Sequence, residues 1–371
     1  MKKNIIAMAV AAAVAAPAAA IADTTLYGKI HASYDVWGGD TAENSDYSLA
    51  SNSSRIGVKG KEAISDNLAL IYQWETGIDF GGNGDGIGDK VRNTFVGFTG
   101  GWGTVIAGRH DTPMKRVSRK YDLFGDTVGD SRAILRGGAN SQSVGFDERM
   151  NNVVAYMTPN MGGFDATIAY ISNWSGDAAS NTSTNGSPDT KNGTPVGSIN
   201  NEFDAFSARA GYEMGGFMID AAYEIHNAQT TTVGLTDDES AYRIGAGYKM
   251  GGFKVVGLWQ SISDFGFDDG NDVDFYGMGA AYSFGKSTIK GQYYVADDAD
   301  IGDFSRDSAA DLWAVGYDYK MSKQTNVYAA YGSMTSENGS YELAKGTGHG
   351  ERAAFTGEDS NAFSVGVVHK F

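Results

Sequence analysis

The segments GYEMGGF (211–217) and GYKMGGF (247–253) are near copies of one another, and TPNMGGF (158–164) is a third form. Each sets Met-Gly-Gly-Phe between runs in which polar and apolar residues alternate. Paired glycines accept the positive φ angles of a tight hairpin turn. The Tyr before the turn and the Phe after it place aromatic rings at the ends of two successive strands. Rings in that position are the mark of strands that end at a membrane–water boundary.

The runs between such turns have period two and lengths of roughly 9–12 residues, as tilted membrane strands require. In VDFYGMGAAYSF (273–284), Tyr276, Met278, Ala280, Tyr282 and Phe284 share one face, and mostly small residues share the other. Asp274 falls on the aromatic face, at the end where the chain leaves the membrane. In 24–36, Leu26, Ile30 and Tyr34 lie opposite Lys29, His31, Ser33 and Asp35. Such alternation suits one face on lipid and one on water.

Connections alternate as well. Short ones fall near 63–67, 99–103, 158–163, 213–216, 249–252, 283–287 and 320–325. Long polar ones fall near 37–52, 79–90, 111–147, 172–202, 227–238, 264–272, 296–308 and 334–360. Seven short and eight long connections join sixteen strands, and pairing of the first strand with the last closes the ring. The fold class expected is all-β, a sixteen-stranded antiparallel transmembrane β-barrel. A soluble β-meander would use the same turns, but gives no reason for the short and long connections to alternate.

The N-terminus and composition agree. Lys2 and Lys3, the apolar run 5–16 and Ala20-Ile21-Ala22 read as a secretory signal peptide over 1–22. The mature chain is then 23–371, one domain, and loss of the two lysines takes the formal charge from −16 to −18. There is no Cys, so an exported chain must be stable without disulfides. Gly (51), Tyr (20) and Phe (18) are abundant, which fits strands and tight turns, and the acidity argues against nucleic acid as a partner. The final strand, NAFSVGVVHKF, puts Phe363, Val365, Val367, His369 and Phe371 on one face, and the chain stops there.

Several stretches carry a family resemblance: LYGKI (26–30), SRIGVKG (54–60), YQWE (72–75), RNTFVGF (92–98), GTVIAGRHDTP (103–113), LFGDT (123–127), RMNNVVAY (149–156) and Phe371. In order and spacing the chain resembles the general diffusion porins of Gram-negative bacteria. That resemblance implies an outer-membrane channel for passive diffusion of ions and small hydrophilic solutes. It also implies a homotrimer among outer-membrane lipid and lipopolysaccharide, a third connection folded into the lumen as a constriction, and Phe371 as a terminal assembly signal.

Phase indicates which charges face water. Lys29 lies opposite Leu26 and Ile30; Arg55 and Lys59 lie opposite Ile56 and Val58; Arg92 lies opposite Phe95; Arg149 opens the strand after the third connection. By position in their motifs, Lys29, Arg55, Arg92 and Arg149 resemble the family's basic ladder, with Glu75 a carboxylate beside it. Asp122, Asp126 and Asp130 of YDLFGDTVGD are the acids expected on the loop side. The family often carries Glu just before Phe-Gly; Leu123 stands there, and Asp122 is the nearest substitute. Gly125, Gly129, Gly137 and Gly138 would let the connection fold back on itself. Unit charges about 8 Å apart at an effective dielectric near 20 interact by roughly 2 kcal/mol, less at physiological salt. A field of that size across a neck sorts ions without chemistry. Basic wall and acidic mouths pull selectivity in opposite directions, with a lean to anions because the narrow part dominates.

Other features carry less. Arg132 and Arg136 have no phase to place them. Arg109 falls on the outer face, where burial at a contact between copies would spare it from lipid. GGNGDGIGD (81–89) reads as a polar surface loop rather than a calcium turn, since it occurs once. Acidic loops such as 267–272 are solvated charge or hold Ca²⁺ or Mg²⁺ against lipopolysaccharide; no other cofactor is expected. The five histidines form no metal-ligand pair and no Ser/His constellation, which argues against a barrel enzyme. A solute-specific channel or a receptor barrel remains the alternative.

Overall fold

The computed structural model describes residues 23–41, 46–81, 86–136, 145–172, 190–191, 194–195, 204–227, 237–267, 269–301, 304–353 and 355–371. The segment 1–22, expected to be a signal peptide, lies outside the described residues, as do Gly137 and Gly138 and most of 172–202.

The sixteen strands of a closed antiparallel barrel run in chain order. They are β1 (Asp23–Thr41), β2 (Asp46–Ser51 and Arg55–Ser65), β3 (Leu68–Ile78), β4 (Ile87–Val91 and Thr94–Gly100), β5 (Gly103–Asp111), β6 (Arg149–Met157), β7 (Phe164–Ile171) and β8 (Ala205–Met214). The second half is β9 (Phe217–His226), β10 (Glu239–Met250), β11 (Phe253–Ser263), β12 (Asn271–Phe284), β13 (Ser287–Ala296), β14 (Ala310–Lys320), β15 (Thr325–Ser336) and β16 (Phe355–Lys370). Between β5 and β6 lie α1 (Pro113–Tyr121) and α2 (Arg132–Leu135).

The Met-Gly-Gly-Phe turns form as their sequence dictates. Met214 pairs with Phe217, and Gly215 and Gly216 sit at φ 62° and 88°, the left-handed angles of a two-residue hairpin. Phe217 and Phe253 then emerge on the outer face, and the Phe253 and Tyr282 rings stack with centroids 4.3 Å apart. Seven tight hairpins occupy the short connections expected from sequence. The first long connection is shorter than expected: β1 and β2 remain paired out to Trp37 and Asp46. Tyr34, Tyr47 and Leu49 continue the outer apolar face there, so the strands run on.

Closure is direct. β1 pairs with β16 from Lys29↔Lys370 to Gly39↔Ser360, and Gly28 N donates to Phe371 O at 3.0 Å, so the last residue is part of the seam. Closure leaves no strand edge, the condition for strands to lie in hydrocarbon. The outer face is apolar: Leu26 is 61 % exposed and Met278 67 %, while inward Lys29 and Asp35 are nearly covered. No described helix is long and apolar enough to cross a membrane; the strands do so.

The core sits inside the barrel rather than between layers. Tyr121, Phe124, Val128, Ile134 and Leu135 of the third long connection are fully buried against inward residues such as Met218, Leu258, Phe275 and Leu312. Each such side chain contributes about 1.5–3 kcal/mol over its exposed state.

Candidate functional site

Residues 112–136 leave β5 along the inner wall, and residues 145–148 lead into β6. Thr112 caps α1 by accepting from Lys115 N, and Pro113 occupies the first turn, where its missing N–H costs nothing. Met114, Val117 and Tyr121 recur at helical spacing and face the wall of β8 to β11. Polar anchors join them. Tyr121 OH donates to Asp220 Oδ2 (2.6 Å), Met114 N to Ser207 Oγ (3.3 Å), and Gln260 Nε2 to Leu135 O (2.8 Å). Gln292 Nε2 donates to Gly129 O (2.8 Å), and Arg243 Nη2 lies 2.8 Å from Asp147 Oδ2. Ser207, Asp220, Arg243 and Gln292 alternate with exposed Phe206, Ile219, Tyr242 and Tyr293, so they are the inward set. Gly245 leaves room for the Tyr121 ring, which any side chain there would overlap.

The opposite wall, β1 to β6, carries the charges singled out from sequence. Glu75 collects three partners: Arg92 Nε at 2.6 Å, Arg55 Nε at 3.5 Å, and Tyr27 OH, which donates at 2.9 Å. Registry explains the gathering, since Gly57 lies opposite both Tyr27 and Glu75, and Arg55 opposite Lys29. Arg92 sits in the break of β4, where its N donates to Glu75 O (2.9 Å). Lys59 Nζ lies 5.1 Å from the Tyr27 ring centroid and is exposed. Arg149 faces Asp111 (2.9 Å) and donates from Nε to Asn93 Oδ1 (2.6 Å).

On the loop, Asp126 has φ 62° and is the meeting point. Its carboxylate accepts from Lys29 Nζ (2.8 Å), from Arg119 Nη1 and Nη2 (3.1 and 3.0 Å), and from Arg132 Nη2 (3.1 Å). Burial alone would raise its pKa. Lys29, Arg119 and Arg132 outweigh that and hold it well below the usual carboxylate range. Asp130 is enclosed and paired with Arg132 (2.6 Å). Asp122 turns from the basic wall, accepting from Phe124 N (2.8 Å) and from Gln292 Nε2 (3.0 Å) of β13.

The structure therefore brings Lys29 and Asp126 into contact, groups Arg55, Arg92 and Glu75, sets Arg149 beside them on Asp111, and leaves Asp122 on the far side. Sequence reasoning missed the basic helix. Lys115, Arg116, Arg119 and Lys120 all belong to α1, and Arg116 and Arg119 are exposed to the lumen. The signal was present: a Thr-Pro start followed by Met114, Val117 and Tyr121 at helical spacing leaves the four basic residues off the apolar face.

Known proteins agree with this architecture. The Gram-negative porin family matches residues 7–339. Outer membrane porin protein 32 of Delftia acidovorans is 30% identical over 380 residues, covering 100% of both chains. A major outer membrane protein P.IB of Neisseria gonorrhoeae is 25% identical, again over 100% of both. Among solved structures, the anion-selective porin from Comamonas acidovorans superposes with a TM-score of 0.74 at 24% identity, over 95% of this chain and 100% of that one. OmpF of Salmonella typhi gives 0.65 at 17%, over 94% and 98%. The chain belongs to the Gram-negative porins: it is an outer-membrane β-barrel whose lumen is a channel for passive diffusion.

Proposed function

We propose that the neck between β1–β6 and the third connection is a positively biased filter that favours small hydrophilic anions. One observation carries this reading: two of the three loop acids are already engaged by cations, Asp126 by Lys29, Arg119 and Arg132, and Asp130 by Arg132, while Asp122 faces away from the basic wall. Arg116 and Arg119 of α1 and Lys59 of the wall reach the lumen. Lys29, Arg55, Arg92 and Arg149 form the wall of the filter, with Glu75 as the carboxylate that holds two of them in place. Fixed positive charge at the narrowest part raises local anion concentration and excludes cations. The Comamonas porin described as anion-selective supports the reading by analogy. Solutes pass unchanged, with no catalytic step.

The working unit of this reading is a homotrimer in a lipid and lipopolysaccharide membrane. Support comes from a solved relative, OmpT of Vibrio cholerae, described in a trimer form. Arg109 adds to it: on the outer face, bonded to Asn151 Oδ1 (2.8 Å) and Val91 O (3.1 Å), it is costly to leave in lipid.

The deciding experiment is the reversal potential of the purified protein in a planar bilayer under a salt gradient. Anion preference supports the filter. Cation preference that persists after neutralising Asp122 and Asp126 refutes it.

A further inference from the structure

Residues 337–353 join β15 to β16, and most of this connection lies inside the barrel. It opens with the turn Glu337–Gly339, where Glu337 and Asn338 are exposed, and then descends. Tyr341, Leu343, Ala344 and Ala353 are buried in the same apolar cluster as Tyr121, Phe124 and Val128 of the third connection. Surface loops do not ordinarily bury such residues.

Polar contacts fix its position on two sides. Toward the wall, Gly350 N donates to Asn52 Oδ1 (2.8 Å), Ser53 Oγ to Gly348 O (3.1 Å) and Leu343 N to Ser360 Oγ (3.2 Å). His349 Nε2 lies 3.3 Å from Asp35 Oδ2, and Trp37 meets the imidazole edge-on at 5.5 Å between centroids. Asp35 and Trp37 are on the inward face of β1, three and four repeats of the pleat beyond Lys29. Toward the third connection, Arg136 Nη1 donates to Gly346 O (2.7 Å). Gly348 passes so close to Asp126 that any side chain there would overlap its Oδ1. The segment thus stands directly over the Lys29–Asp126 bridge.

We propose that residues 341–353 are a second constricting element. They roof the sector of the lumen over Lys29 and Asp126 and confine solutes to the sector bounded by Arg55, Arg92 and Arg149 on the wall and Arg116 and Arg119 on α1. This rests on the charged-neck reading above and extends it. The covered sector is the one where wall and loop charges cancel. The sector left open is the one where basic groups face each other across the gap. The roof therefore both lowers the size limit and removes the path along which a cation would meet Asp126.

Two experiments test it in this cysteine-free chain. In the first, Leu343→Cys and Asn338→Cys are reacted separately with a membrane-impermeant maleimide in the folded protein. A buried thiol is shielded from reagent, so labelling at 338 is expected to be at least about tenfold faster than at 343. Equal rates overturn the proposal. In the second, residues 341–352 are replaced by Gly-Ser-Gly, and conductance and vesicle swelling by a trisaccharide are measured. Pore radius governs both, so conductance should rise at least about 1.5-fold and swelling should quicken. Parental values for both overturn the proposal. If the shortened chain does not fold, the labelling result decides alone. A parental chain that conducts without anion preference would defeat the charged neck while leaving the roof to stand on these readouts.

Discussion

Lys29 Nζ stands 2.8 Å from Asp126 Oδ2, and both side chains are under one-tenth exposed, so the first strand is clamped to the tip of the third connection. Asp126 also holds Arg119 and Arg132. Replacing Asp126 with Ala leaves three cations facing one another. Removing one partner of a buried ion pair costs about 3–5 kcal/mol, and water in the lumen places this case toward the low end. The expected outcome for Asp126→Ala is a lower temperature of unfolding in detergent, read by gel mobility on heating, and closure at lower voltage in bilayers. The Asp126 carboxyl is depressed in the folded state, so its stabilisation is present above the unfolded value of about 3.9 and is lost only in strong acid.

Arg55 and Arg92 share Glu75. The double change Arg55→Gln and Arg92→Gln leaves Glu75 as a bare negative charge beside the neck. Anion preference should fall and conductance should rise. Glu75→Gln should do the reverse to selectivity, strengthening anion preference. Reversal potentials for the three proteins in one salt gradient check the ordering; unchanged values would remove these residues from the ion path.

The barrel was legible in the sequence because one period governs it. Lipid against water forces alternation over long strands, and Gly215-Gly216 needs only local geometry to be read as a turn. The wall charges Lys29 and Arg55 were legible for the same reason, since phase alone places them. The loop was not. Asp122, Asp126 and Asp130 are spaced by four, but Asp122 bonds to Gln292 at 3.0 Å across the barrel while Asp126 bonds to Lys29, a division set by long-range packing. The inward descent of 341–353 depends on partners hundreds of residues away in the chain, such as Ser53, and no local pattern announces it.

Arg116 and Arg119 supply the positive charge on the loop side. They differ in surroundings: Arg116 donates to Thr167 Oγ1 (3.2 Å), whereas Arg119 is tied to Asp126. Arg116→Gln should therefore reduce anion preference with little change in stability. Arg119→Gln should reduce anion preference and also destabilise the loop, by about 1–3 kcal/mol for a lost charge-assisted bond. Thermal unfolding beside bilayer selectivity separates the two effects; equal unfolding temperatures for both variants would contradict the assignment.

Asp122 carries a pH prediction. Burial, and then the neighbouring Asp130, push its pKa up to about 7, and its Oδ2 has no hydrogen-bond partner. The raised value means that the protonated form is favoured in the folded chain. The stability this form supplies is complete below the unfolded pKa of about 3.9 and is gone once the pH passes about 7. Above that point Asp122 adds one negative charge on the far side of the loop, behind the neck and within its field. Anion preference should therefore decline between pH 6 and pH 8. Asp122→Asn keeps an oxygen for Phe124 N, carries no charge, and should hold its selectivity constant over the same range. The comparison needs only reversal potentials at the two pH values. If the parent's selectivity is flat and the variant's is identical to it, Asp122 does not titrate in this window, and the neck's charge is set by the arginines alone.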